Sequence, residues 1–161
     1  MNNLLKGLVD LIYSTRRVRK KYLLDNPTET VLAIDGAKGI VTADNQAVER
    51  GIDWVTSQRA VIILTTTKII CGKWTIPLDN INNAQLLEIS SVFGSGQVLK
   101  IQTKDNKNYQ FGMQMNKEWT NQNALPLTLE KAKIANSLFS IMLRIFLIGY
   151  IAFLIYQQIT Q

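Results

Sequence analysis

The sequence predicts an α+β protein, mostly β, and three observations predict it. Residues 99–113 alternate apolar and polar side chains on either side of an Asp105-Asn106 turn, as antiparallel strands with one wet face do. Several further short runs rich in β-branched residues precede that hairpin, separated by turn residues. Residues 138–156, LFSIMLRIFLIGYIAFLIY, then form one nearly unbroken apolar run. At about 1.5 Å per residue such a run covers roughly 28 Å, close to the ~30 Å hydrocarbon core of a bilayer. The expected organisation is a basic amphipathic N-terminal helix over residues 1–26 and one domain over residues 27–125. A linker helix and a single transmembrane anchor are expected over residues 126–161.

In the first segment, Leu4, Leu5, Leu8, Val9, Leu11 and Ile12 fall at spacings that fit one helical face. Pro27 closes this helix because it disfavours helical geometry at Asn26. Residues 30–34 read as a strand, Asp35-Gly36 as a turn and residues 37–53 as a loop or short irregular element. Residues 61–64, 68–74 and 84–89 read as strands, the last ending before a Gly94-Ser95-Gly96 turn. The 99–104 and 109–113 strands follow. After Met115 the period becomes helical and places Trp119 on a helix, where a core plug is the expected role. Pro126 breaks that helix, and the chain from Leu127 onward is expected to run as one helix into the membrane.

Charge is unevenly placed. The chain has 18 Lys and Arg against 12 Asp and Glu. Residues 1–25 carry a net +4 from Lys6, Arg16, Arg17, Arg19, Lys20 and Lys21 against Asp10 and Asp25, whereas residues 26–133 carry +1. A basic nucleic-acid-binding face on the central domain is therefore not expected. The N-terminal helix has two open readings: an interfacial helix on anionic lipid, or a helix packed on the domain with a solvated basic end.

Catalytic chemistry finds little footing. The chain has no histidine, which removes the commonest general base and metal ligand. Cys71, the sole cysteine, lies in an apolar Ile69-Ile70-Cys71-Gly72 stretch and reads as a small core residue. Gly94-Ser95-Gly96 lacks the Lys-Ser/Thr ending of a phosphate-binding loop. No catalytic residue, metal site or cofactor is expected.

Two stretches carry a family resemblance. Ile63-Leu64-Thr65-Thr66-Thr67-Lys68-Ile69-Ile70-Cys71 and Trp74-Thr75-Ile76-Pro77-Leu78-Asp79-Asn80-Ile81 resemble bacterial pleckstrin-homology-like (PH-like) and GRAM-type domains, as do the hairpin and Trp119. The resemblance covers residues 29–123. It implies a PH-like, partly open antiparallel barrel capped by a C-terminal helix, with Pro77 at a strand start or edge. It also implies binding to lipids, or to proteins at membranes, without catalysis. Between Asp35 and Arg59 only Lys38 and Arg50 are basic, so phosphoinositide head-group recognition is not carried over.

Arg144 is the costly residue of the apolar run, since a charge near a helix centre in lipid costs about 2.5–3.5 kcal/mol. It either snorkels to leaflet phosphates or pairs with another membrane helix; a shallower seating leaves too few residues to span. Lys131 and Lys133 before the run, with no charge after it, predict a cytoplasmic N-terminal domain. The expected function is a non-catalytic, membrane-anchored PH-like scaffold or accessory subunit. Its expected partner is a membrane protein or a second copy, met at the barrel's open edges and the groove between strand and helix; Arg16, Arg17, Arg19, Lys20, Lys21 and Arg144 are the candidate lipid- or partner-binding residues. The alternative is a peripheral module that binds anionic lipids through the basic arm.

Overall fold

The computed structural model describes residues 12–42, 57–91, 94–132, 142, 145–150 and 157. Helix α1 (Thr15–Asp25) is followed by β1 (Val31–Thr42), β2 (Gln58–Thr65), β3 (Lys68–Cys71) and β4 (Trp74–Pro77). After one 3-10 turn come β5 (Ile81–Ser91), β6 (Gly94–Thr103), β7 (Asn108–Gln114), the short helix α2 (Lys117–Asn121) and β8 (Thr128–Ala132). The eight strands form a single sheet in the order β4-β3-β2-β1-β7-β6-β5-β8. Each neighbouring pair is antiparallel except β5 with β8.

The expected capped barrel is not what forms. Trp74 on β4 meets Phe111 on β7 with ring centroids 5.8 Å apart, although β3, β2 and β1 lie between them in the strand order. The sheet therefore bends back over its own apolar face, yet β4 and β8 remain separate edges and, among the described residues, no strand pairing closes a barrel. The helix after β7 is five residues long. It stops because Gln122 turns the chain: its amide accepts from the Leu125 N–H at 2.8 Å and donates to the Leu125 carbonyl at 2.8 Å. Beyond Pro126 the chain enters β8 as an eighth strand instead of the expected long helix. Leu, Glu, Lys and Ala in residues 127–132 are good helix formers, and pairing with β5 overrides that preference.

Alternation along β1 defines the two faces. Ala33 and Ala37 point into the core cluster with Ile62, Leu64, Ile69, Leu86, Leu99, Phe111 and Trp119. Ile34 and Gly36 point to the other face, where a Cβ on Gly36 would lie 2.6 Å from the Tyr13 ring. Thus Trp119 of α2 plugs the core face, and the segment leading into α1 covers the opposite face. Gly39 has a similar reason for lacking a side chain, because a Cβ there would collide with the Trp74 ring. Both glycines permit close approach inside a continuous strand, so neither Asp35-Gly36 nor the residues just after it form the expected turn and loop. The expected 68–74 strand is two strands joined at Gly72-Lys73, with Gly72 at φ 56. Gly94, Ser95 and Gly96 belong to β6 rather than to a turn.

Most of the apolar run at 138–156 falls outside the described residues. Of it, Met142 and residues 145–150 are helical, and Met142, Ile145, Phe146, Leu147, Ile148 and Tyr150 are all exposed. Among the described residues no helix is long and apolar enough to cross a membrane. The expected single-span anchor is therefore not supported, and the cytoplasmic N-terminal topology read from its flanks loses its basis. Lys131, taken as a flank of that span, is a strand residue of β8.

Candidate functional site

Helix α1 separates its residues by face. Thr15 is buried and Val18, Arg19 and Tyr22 are half-buried, whereas Arg16, Arg17, Lys20, Lys21 and Leu24 are exposed. The spacing of the inward set is that of one helical stripe. Four cations and a leucine, itself 71 % exposed, consequently share the outward face.

Polar contacts at Arg19 and Tyr22 help to hold the inward face. Arg19 Nη2 donates to both carboxylate oxygens of Glu118, at 2.7 and 2.6 Å. Glu118 Oε2 also accepts from the Ile34 backbone N–H at 3.1 Å. Asn116 caps α2 by accepting from the Glu118 N–H at 3.1 Å, as a short polar residue at a helix start does. Its side-chain amide donates to the Ile34 carbonyl at 3.0 Å and to Asp35 Oδ2 at 3.1 Å. Gln97 Oε1 accepts from the Asn116 backbone N–H at 3.1 Å. Asp35, Asn116 and Gln97 are all buried, so these bonds form where unpaired polar groups are costly.

The second contact lies at the end of the helix. The Tyr22 hydroxyl donates to Glu29 Oε2 at 2.7 Å, and Lys68 Nζ sits 2.8 Å from Glu29 Oε1. The Lys68 hydrogen bond, followed by that of Tyr22, holds the Glu29 carboxyl below the usual carboxylate range. The same Glu29 contact raises Lys68. Tyr22 is raised chiefly by burial, then by its hydrogen bond to Glu29.

Among the sequence-predicted site residues, Arg16, Arg17, Lys20 and Lys21 share the outward face of α1. Arg19 is on the inward face and occupied by Glu118. Arg144 lies outside the described residues. The network of Asp35, Gln97, Asn116 and Glu118 was not anticipated. Its one local signal is Asn116 ahead of a first turn containing Glu118, a recognisable helix start; the partners on β1 are more than eighty residues away in sequence. Cys71 is buried, and burial pushes its thiol up to about 12. Among the described residues no group of three or more Cys, Asp or Glu is placed to hold a metal ion.

The membrane-based expectations find no support in this geometry. With no spanning helix among the described residues, the expected single-pass anchor and the membrane-protein partner argued from it are not supported. Comparison with known proteins finds no family model, curated protein or solved structure that matches the chain. The PH-like and GRAM-type resemblance, and the scaffold role it implies, are therefore not supported: residues 63–71 form the β2–β3 hairpin, and residues 74–81 run through β4 and the 3-10 turn into β5 of an open sheet.

Proposed function

We propose that this protein is a non-enzymatic docking module whose helix α1 receives an acidic segment of a protein partner. The carrying observation is that Arg16, Arg17, Lys20 and Lys21 point outward from a helix fastened through its opposite side. Their placement does not serve the helix itself. Arg16 and Arg17 fall in the first turn, which has no acidic residue, and the last turn has no basic one. That is the reverse of what the helix dipole favours, at about 0.3–1 kcal/mol per charge. A negative partner relieves this repulsion. Leu24, exposed beside Lys20 and Lys21, adds an apolar contact, so the favoured partner combines carboxylates with an aliphatic side chain.

Nucleic acid is the poorer fit. The cations occupy one eleven-residue helix, and residues 26–133 add only +1, too little to follow a phosphate backbone. The non-enzymatic part of the proposal is supported by the absence of histidine and by a Cys71 thiol that stays protonated at neutral pH.

Binding of a glutamate-rich, leucine-containing peptide to the full chain tests the reading. Affinity should fall about tenfold or more in the Arg17→Glu, Lys20→Glu double variant, and should weaken as salt rises from about 50 to 500 mM. Tighter binding to duplex DNA or to anionic vesicles than to the peptide would sink it, as would indifference to the charge reversal.

A further inference from the structure

Trp119 is fully buried, yet its indole Nε1–H finds no hydrogen-bond partner among the described residues. A buried donor of that kind is ordinarily satisfied. The same tryptophan lies in the wall of a pocket of about 250 Å3, bounded also by Gln122, Leu125, Pro126, Leu127 and Leu129. An unmet donor and a space able to hold its acceptor therefore occur together, in the turn that leads from α2 to β8.

The other polar groups of this turn are already committed. Gln122 Nε2 donates to the Trp119 and Leu125 carbonyls, and Gln122 Oε1 accepts from the Leu125 N–H. The Thr120 hydroxyl donates to the Lys117 carbonyl. A water placed on the indole finds few further partners here, and a water so held is readily displaced by an organic group.

The lining defines an occupant. The indole donor calls for an acceptor atom. No charged residue lines the pocket, so an ionised ligand would lose water without gaining a counter-charge. Leu125, Leu127 and Leu129 suit an aliphatic body. Since a cavity of about 150 Å3 takes up benzene, the larger space here suits a molecule of roughly eight to twelve non-hydrogen atoms.

We propose that this pocket binds a small, uncharged aliphatic carbonyl compound, an amide or a ketone, whose oxygen accepts from the Trp119 Nε1–H. The carbonyl fixes the orientation, and the hydrocarbon chain rests on the leucines. The pocket is separate from the outward face of α1 and does not rest on the role given to that helix.

The test is titration of the isotope-labelled full chain with isocaproamide, followed at the Trp119 indole proton by nuclear magnetic resonance. That signal should move saturably, with half-effect at about 1–5 mM. Isohexylammonium, which has the same chain and no acceptor, should bind at least about tenfold more weakly, and isocaproate at least about fivefold more weakly. Trp119→Phe keeps an aromatic plug without the donor and should weaken the amide about tenfold by calorimetry. Leu129→Ala changes a position 55 % exposed and should weaken it about threefold, which keeps a readout if Trp119→Phe fails to fold. Circular dichroism checks both variants. No saturable movement of the Trp119 indole signal up to about 50 mM amide, equal binding of the ammonium compound, or an unchanged affinity in Leu129→Ala would each overturn the proposal. The Arg17→Glu, Lys20→Glu variant should bind isocaproamide unchanged, so the two sites fail separately.

Discussion

Helices α1 and α2 are attached to the same sheet by different means. Helix α2 is five residues long and buries one large side chain, Trp119, against the core face, with Asn116 and Glu118 bonded to β1 beside it. Helix α1 is eleven residues long and has one buried side chain, Thr15; what fastens it is Arg19 on Glu118 and Tyr22 on the Glu29–Lys68 pair. Burial of an aromatic is part of the cooperative core, so α2 stands or falls with the whole sheet. Polar fastenings at half-buried positions are weaker and local, so α1 can loosen while the sheet persists. A surface on α1 can therefore be altered, or moved by a partner, at little cost to the fold.

The comparison breaks most clearly at the core. Trp119→Ala should destabilise by about 3–5 kcal/mol and lower the thermal midpoint of sheet and helices together, read by circular dichroism. Selective loss of α2 with an unchanged midpoint would make the two attachments alike. Glu118→Ala comes next, at about 1–3 kcal/mol, because it leaves the Ile34 N–H without its acceptor and frees Arg19. Hydrogen exchange should then accelerate in α1 well before it does in β2 or β7.

A smaller effect belongs to the Glu29–Lys68 pair, worth about 0.5–1 kcal/mol after allowance for partial exposure. Since the folded Glu29 carboxyl is depressed, its contribution is present above the ordinary carboxylate range. It is lost as pH falls from about 4.5 through the lower folded value. Lys68 is raised, so its share holds below about pH 10 and disappears above the folded value. Lys68→Met should flatten both limbs of the stability profile measured by urea unfolding. Last, Lys20→Ala should change stability by less than about 0.5 kcal/mol. A larger loss would mean that the outward face of α1 has a structural task.

How far the sequence could be read follows the same division. The hairpin of β6 and β7 was legible because strict alternation and a short Asp105-Asn106 turn are local signals, and Asn106 indeed adopts φ 59. Trp119 and Cys71 were legible as core residues by size, chemistry and apolar neighbours. Asp35-Gly36 misled because the pair has turn chemistry. Its real explanation, an Asn116 bond to Asp35 and a Tyr13 ring over Gly36, depends on distant segments. Strand β8 misled because helix-forming residues were recruited by an unpaired flank of β5, which no window of sequence reveals. The four cations were plain as a cluster; that Arg19 would be withdrawn from them was not.

The parallel docking of β8 on β5 also sets a timetable for synthesis. During translation, the flank of Ile81–Ser91 emerges from the ribosome well before Thr128–Ala132 can shield it. A nascent chain halted at Pro126 therefore displays a long, sticky ribbon holding Leu86, Leu87 and Ile89. Among the described residues β8 is the strand that pairs with this flank, so the edge stays open until Thr128–Ala132 has been added.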